Sequence, residues 1–163
     1  MSHVRSLLIY RNWAGVKSWK QWAWKCTRFV RLMGCEFTGG CLCGAVQITA
    51  VGEPHRVGIC HCSDCRKHHG ALFYASAVFP QGAVRITGET RDYQGRFFCP
   101  RCGSSVFARS DEVVEVHLGT LDNGDKLVPR YELWTTRRAS WMPPFPQMTS
   151  YPRNRDTNNQ SED

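Results

Sequence analysis

The spacing of the cysteines limits the folds open to this chain of 163 residues more than any other feature. Seven of the nine cysteines form three tight groups, which are Cys41-x-Cys43, Cys60-x-Cys62-x2-Cys65 and Cys99-x2-Cys102. A secreted disulfide scaffold is expected to have an even number of cysteines and a signal peptide. The apolar run of residues 7–10 is shorter than a signal-peptide core, so we expect no secretory signal. The spacing therefore indicates metal binding, in a reducing compartment such as the cytoplasm.

The first and third groups together supply four thiols. In a strand, residues i and i+2 point to the same side, so we expect Cys41 and Cys43 to face one metal ion. The segment from Cys99 to Gly103 has the form of a zinc knuckle, with Cys102 as the second thiol and a glycine suited to positive φ. Four thiolates match a closed tetrahedral zinc site, and structural zinc ions contribute on the order of 10 kcal/mol to folding.

The middle group, Cys60, Cys62 and Cys65, supplies three thiols. Three protein ligands with one open position are typical of a catalytic zinc ion, where an incoming thiol would be held as a thiolate. The basic pair Arg66 and Lys67 follows directly, and we expect it to offset the negative charge of the site or to bind an anionic ligand.

A closed structural site is the alternative for the middle group. One histidine would complete a Cys3His set, and the candidates are His61, His68 and His69. His61 stands between two thiols and would face away from them in a strand, so we expect it to pack behind the site. Elsewhere, we expect Arg137 and Arg138 to form a solvated charged pair.

Short strands make up the rest of the body. Apolar and polar residues alternate with a period of two in four segments, which are residues 46–49, 75–79, 83–87 and 113–118. Turn-forming residues separate them, as in the stretch from Asp122 to Asp125, and no long helical pattern is present. The sequence therefore predicts a mainly β fold with a single domain at residues 35–153. Residues 154–163 are polar, and we expect a disordered tail.

The first 34 residues differ from the body in charge. They contain seven Lys and Arg and no acidic residue, whereas residues 35–163 contain fourteen of each, so the net charge of +7 lies in this basic extension. On a helical period Trp19 and Trp22 lie on an apolar face opposite most of the basic residues, as in a membrane-surface helix or a presequence. Alternatively, Met33 is the true start of the protein. No apolar run is long enough to predict a transmembrane segment.

Three motifs resemble those of a known family, the glutathione-dependent formaldehyde-activating enzymes, also called the CENP-V/GFA domain family. They are Phe37-Thr38-Gly39-Gly40-Cys41-Leu42-Cys43-Gly44, Cys60-His61-Cys62-Ser63-Asp64-Cys65-Arg66-Lys67 and Phe98-Cys99-Pro100-Arg101-Cys102-Gly103. The resemblance extends from about Glu36 to Arg153 and includes the stretch from Tyr131 to Trp134. All seven cysteine positions are filled in order.

The resemblance implies a β-rich, zinc-binding fold similar to the Mss4-like group, with two zinc ions per chain. The residues that match the structural zinc ligands are Cys41, Cys43, Cys99 and Cys102, and those that match the catalytic zinc ligands are Cys60, Cys62 and Cys65. The implied reaction is a carbon–sulfur lyase equilibrium between S-(hydroxymethyl)glutathione and its components, glutathione and formaldehyde. A thiol such as glutathione and a small aldehyde are therefore the expected partners.

A non-catalytic binding module is the alternative function. In that case both zinc ions are structural, and the basic extension contacts nucleic acid or an anionic membrane. Because the body has no net charge and the extension is absent from a chain that starts at Met33, we favour the enzyme and do not expect nucleic acid as a partner.

Overall fold

The computed structural model describes residues 35–155. The basic extension, with its predicted helix and the alternative start at Met33, lies outside the described residues, as do residues 156–163 of the predicted tail. The strands are β1 (Glu36–Gly40), β2 (Gln47–Val51), β3 (Arg56–Cys60), β4 (Tyr74–Pro80), β5 (Val84–Thr87), β6 (Arg91–Tyr93), β7 (Arg96–Phe98), β8 (Ser105–Arg109), β9 (Val113–His117), β10 (Tyr131–Leu133) and β11 (Thr149–Ser150). One α-helix, α1, is formed by Ser63–His69, and four short 3-10 turns complete the described elements.

The strands form two sheets. The small sheet has the order β1-β2-β5, and the large sheet has the order β11-β10-β3-β4-β9-β8-β7-β6. Neighbouring strands are antiparallel, except that β10 runs parallel to both β3 and β11. The four alternating segments correspond to β2, β4, β5 and β9, with ends that agree within two residues. The prediction of a single, mainly β domain is confirmed.

Alternation of buried and exposed side chains produces the core. In β2, Ile48 and Ala50 are buried while their neighbours in the strand are more exposed. In β9, Val114 and Val116 are buried in the same way. Because side chains i and i+2 of a strand lie on one face, β2 and β9 each give one apolar face to the interior. In β3 and β4, which pair within the large sheet, the buried runs are instead continuous, from Val57 to Ile59 and from Ser76 to Phe79.

Strands β3 and β10 and helix α1 position the middle cysteine group. The register of the parallel pair sets Leu133 beside Cys60, and the N–H of the next residue, His61, donates to the Leu133 carbonyl at 3.0 Å. Helix α1 begins directly afterwards, with Cys62 as its N-cap, and ends at Gly70 in a left-handed conformation (φ 58°). The strand end and the first helical turn therefore carry all three thiols of this group.

Within residues 35–155, no helix is long and apolar enough to cross a membrane.

Candidate metal centres and active-site cavity

The first and third cysteine groups meet in what we call the four-thiol cluster, formed by Cys41, Cys43, Cys99 and Cys102. Their Sγ atoms all lie within 4.8 Å of one another. The Sγ of Cys43 is 3.6 Å from that of Cys41 and 3.8 Å from that of Cys99. Disulfide sulfurs lie about 2.0 Å apart, whereas sulfurs about 2.3 Å from a tetrahedral zinc ion lie about 3.8 Å from one another. The spacing fits a metal ion and does not fit a disulfide.

Two tight turns aim these thiols at a common point. In the first turn the N–H of Gly44 donates to the carbonyl of Cys41 at 3.0 Å, and in the second the N–H of Gly103 donates to that of Cys99 at 2.9 Å. Both glycines have positive φ, 74° and 75°, which other residues rarely adopt. The predicted positive φ of Gly103 is confirmed. The predicted strand geometry of Cys41 and Cys43 is wrong, because a turn brings their thiols together.

The middle group forms a second cluster, the three-thiol cluster of Cys60, Cys62 and Cys65, with Sγ atoms within 4.8 Å of one another. The N–H of Cys62 donates to the Sγ of Cys60 at 3.5 Å, and the N–H of Cys65 donates to the Sγ of Cys62 at 3.4 Å. A hydrogen bond from Cys65, together with the N–H of Cys62, lowers the pKa of Cys60 to about 6. The bond with Cys60 and burial raise the pKa of Cys65 above its ordinary value. One thiolate at neutral pH makes this cluster attractive to a cation.

Among the described residues, no histidine nitrogen lies within 4.8 Å of all three sulfurs. The Nε2 of His68 lies 2.7 Å from the hydroxyl of Ser105. The ring of His69 stacks on Tyr74, with centroids 4.7 Å apart and planes inclined by 13°. His61 is fully buried, and its Nε2 bonds to Oε2 of Glu132 at 3.2 Å. None of these three histidines therefore supplies the fourth ligand that the Cys3His alternative requires. A metal ion held by the three thiols would keep one coordination position without a protein ligand from the described residues.

The donor atoms of both clusters suit zinc. Every ligand atom is a cysteine sulfur, and thiolates select zinc and other soft metals over magnesium or calcium. Four converging thiols match a closed site, and three match a site with one position free. Each cluster could hold one metal ion.

The three-thiol cluster opens into a cavity of about 350 Å³. This volume lies within the usual range of small-molecule sites. Three arginines are among the residues that line the cavity, Arg56, Arg96 and Arg109, and Glu115 is the one acidic residue of the described lining. The guanidinium of Arg109, however, lies over the rings of Phe97 and Phe107, which do not line the cavity. The cavity is therefore suited to an anionic ligand.

The basic pair that follows the thiols lies elsewhere. Neither Arg66 nor Lys67 is among the described residues that line this cavity. Arg66 instead donates from Nη1 to the carbonyl of Arg137 at 3.2 Å. The lining of this cavity does not support the expectation that the pair binds an anionic ligand beside the thiols, and the expectation that it offsets the negative charge of the cluster stays a prediction.

Tyr74 and Glu115 form a hydrogen-bonded pair in the cavity wall. The phenol of Tyr74 donates to Oε2 of Glu115 at 2.9 Å. Burial and the adjacent carboxylate raise the pKa of Tyr74 well above its ordinary value, so the phenol keeps its proton. The pairing of β3 with β4 sets Tyr74 beside Cys60, which brings this pair close to the thiols.

Comparison with known proteins identifies the family. The family model of the glutathione-dependent formaldehyde-activating enzymes matches residues 36–137, well over half of the chain. The chain belongs to this family. An uncharacterised lyase of Schizosaccharomyces pombe is 29% identical to it over 77 residues, or 44% of this chain. The match spans 56% of that relative, so it covers little more than half of the yeast protein.

In this member of the glutathione-dependent formaldehyde-activating enzyme family, the structure brings the seven predicted cysteines into two groups, four and three. Of the two further cysteines, Cys35 belongs to neither cluster and Cys26 lies outside the described residues. The roles of the seven as zinc ligands, and of the middle three in catalysis, stay predictions.

Other residues of the site were missed by sequence analysis. Arg138, predicted to be a solvated cation, donates from Nη1 to the buried Glu132 at 2.7 Å. Asn154, in the predicted tail, accepts a hydrogen bond of 2.7 Å from the Nε1 of Trp134, and both residues line the cavity. Arg155 lies over the ring of Tyr131, 5.1 Å from its centroid. The segment beyond the family match at residues 36–137 thus takes part in the site.

Proposed function

We propose that this protein is a carbon–sulfur lyase that catalyses the reversible addition of glutathione to formaldehyde, with S-(hydroxymethyl)glutathione as the product. The observation that carries the proposal is a three-thiol cluster at the wall of a cavity that Arg56 and Arg96 also line. Family membership supports it, as does the lyase name of the yeast relative. In this proposal formaldehyde detoxification is the physiological role.

Two zinc ions per chain are part of the proposal. The ion in the four-thiol cluster is structural, and the ion in the three-thiol cluster is catalytic. When held by Cys60, Cys62 and Cys65, zinc would supply an open position at which a substrate thiol is stabilised as a thiolate. The absence of a histidine ligand among the described residues supports the free fourth position.

The guanidinium groups of Arg56 and Arg96 bind the carboxylates of glutathione in this proposal. Glutathione has two carboxylates, and guanidinium–carboxylate hydrogen bonds are among the strongest and most directional in proteins. The thiol of the bound tripeptide then points to the three-thiol cluster, since the thiols and the arginines line one cavity.

Glu115 carries the proton of the reaction. As the substrate thiol becomes a thiolate, its proton moves to the Glu115 carboxylate. The sulfur then bonds to the aldehyde carbon, the π pair of the C=O bond moves to its oxygen, and that oxygen takes the proton from Glu115. Tyr74 orients the carboxylate through the 2.9 Å hydrogen bond and does not compete for the proton, since its raised pKa keeps it neutral.

The proposal also places the protein in the cytoplasm. Both clusters need free thiols to bind a metal ion, and disulfides form and persist in oxidising compartments.

Zinc content and exchange kinetics test the proposal together. Glutathione and ¹³C-labelled formaldehyde interconvert with their adduct at a rate that NMR exchange spectroscopy measures. We expect two zinc ions per chain and an exchange rate that rises in proportion to the protein concentration. Cys62→Ala should remove the effect, whereas the matched control Cys35→Ala, outside both clusters, should keep it. A protein with two zinc ions and the exchange rate of buffer alone would refute the function.

A further inference from the structure

A buried carboxylate, that of Glu132, lies in β10 between Tyr131 and Leu133, which line the cavity, and is not itself among the lining residues. The side chains of Glu132 and His61 are both 0% exposed. A carboxylate is stable in such a place only when hydrogen bonds or a counter-charge replace its water. The oxygens of Glu132 accept from His61 Nε2 at 3.2 Å, Arg138 Nη1 at 2.7 Å and Ser150 Oγ at 2.5 Å. Although burial alone would raise the pKa of Glu132, these bonds hold it below the ordinary value.

His61 connects this carboxylate to the cluster, because it is the residue between Cys60 and Cys62. Its main-chain N–H donates to the Leu133 carbonyl in β10, and its Nε2 bonds to Glu132 in the same strand. Its Nδ1 has no hydrogen-bond partner among residues 35–155. The contact with Glu132 is thus the polar interaction that fixes the imidazole, and backbone and side chain are both attached to β10.

This attachment restricts the backbone that carries the thiols. The hydrogen bonds from Cys62 N–H to Cys60 Sγ and from Cys65 N–H to Cys62 Sγ depend on the same peptide units. Three ligands that are already aimed at one point bind a metal ion more tightly than three that must first be ordered, and loss of a supporting hydrogen bond typically costs 10–100-fold in affinity. Within the described part of the chain, no hydrogen bond joins Glu132 or His61 to the four-thiol cluster.

We propose that Glu132, acting through His61, is a positioning residue for metal binding by the three-thiol cluster, and that the four-thiol cluster does not depend on it. The inference rests on the proposed metal ion in the three-thiol cluster but not on the identity of the substrate. Arg138 and Ser150, two of the donors to Glu132, lie beyond the residues matched by the family model. The C-terminal segment of this chain therefore helps to hold the cluster.

The test compares metal retention by the two clusters in one molecule. The zinc-loaded full chain is titrated with a chelator, exposed thiols are alkylated, and mass spectrometry of the peptides reports which cysteines have reacted. In Glu132→Gln, we expect the thiols of the three-thiol cluster to react at a chelator concentration 10–100-fold lower than in the wild type. The four-thiol cluster should be unchanged. The control is Glu89→Gln, at an exposed glutamate, and both clusters should behave there as in the wild type.

A pair of substitutions at His61 separates positioning from packing. His61→Gln keeps a donor close to the place of Nε2 and should retain most of the zinc affinity of the three-thiol cluster. His61→Leu removes the donor and should lower that affinity as Glu132→Gln does. An equal loss at both clusters in Glu132→Gln would overturn the inference, since it would indicate a general effect on folding. Unchanged retention at the three-thiol cluster would overturn it as well. If these thiols react freely in zinc-loaded wild type, the proposed metal ion is wrong, and the inference fails with it.

Discussion

The Sγ atoms of Cys43 and Cys99 lie 3.8 Å apart, although 56 residues separate them in the sequence. One belongs to the turn that follows β1 in the small sheet, and the other to the turn between β7 and β8 in the large sheet. A metal ion in the four-thiol cluster would therefore join the two sheets and close a long loop of the chain. Loop closure of this kind reduces the entropy of the unfolded state.

Removal of this metal ion should unfold the domain. Structural zinc ions contribute about 10 kcal/mol in small domains, which is comparable with the whole stability of a protein of this size, about 5–15 kcal/mol. We expect the Cys99→Ala variant either to show no cooperative thermal transition or to unfold at a midpoint lower by at least about 10 °C. Circular dichroism with and without a chelator measures this effect. Cys35→Ala, outside the clusters, should shift the midpoint only slightly, and an equal shift in both variants would contradict the assignment.

Local patterns predicted the strands and the thiols. The face of a strand residue depends on its neighbours two positions away, so alternation identified β2, β4, β5 and β9 from the sequence. The cysteine groups are recognisable for a similar reason, because residues close in sequence supply several ligands each. The parallel pairing of β10 with β3 had no such signature, since it joins Tyr131 and Gly58 across the length of the domain.

The polar parts of the site could not be predicted from local patterns. Arg56, Arg96 and Arg109 come from β3, β7 and β8, and only the order of the strands brings them to one cavity. Glu132 stands in a three-residue strand, and its partner His61 is 71 residues away. Nothing in the sequence distinguishes this buried carboxylate from an exposed one, whereas the tight turn at Gly103 was visible from its motif.

Loss of a guanidinium in the cavity should weaken binding of the thiol substrate. A hydrogen bond to a charged group contributes about 1.5–3 kcal/mol, so Arg96→Gln should raise the KM for glutathione about 10–100-fold with little change in kcat. High salt should weaken glutathione binding by the wild type more than by the variant. Steady-state kinetics at two ionic strengths measures both effects. The control is Arg85→Gln, an exposed position in the small sheet, and a KM that is raised there equally would argue against a specific carboxylate subsite.

Glu115→Gln should reduce turnover without loss of metal. A positioned proton carrier contributes about 10²–10⁴-fold to the rate, and we expect kcat to fall within this range while zinc content stays at the wild-type value. Tyr74→Phe should cause a smaller loss, since it removes the hydrogen bond that orients the carboxylate and leaves the carboxylate in place. Glu112→Gln, at an exposed position, is the control. An unchanged kcat in Glu115→Gln would exclude Glu115 as the proton carrier.

Acidification should destabilise the domain through buried histidines. Burial, with the nearby imidazole of His69, lowers the pKa of His117 to about 3, and burial lowers that of His69 to about 4. Histidine in the unfolded chain titrates near pH 6.5. At a pH between these folded-state pKa values and 6.5, the unfolded state binds more protons than the folded state. The free energy of unfolding therefore falls as the pH falls through this range. The dependence is about 1.4 kcal/mol per pH unit for His117, and it disappears above about pH 6.5.

The variant that tests this dependence is His117→Asn. Asparagine cannot titrate but keeps a polar atom near the place of Nδ1, which lies 3.2 Å from the hydroxyl of Ser105. The free energy of unfolding is measured by urea denaturation between pH 4.5 and 6.5. Its slope against pH should be smaller in the variant than in the wild type, and the difference between the two slopes should be about 1.4 kcal/mol per pH unit. Release of metal in acid affects both proteins and cancels in the comparison. His55→Asn replaces an exposed histidine and should leave the slope as in the wild type. Parallel slopes for His117→Asn and the wild type would show that His117 gains its proton equally in both states.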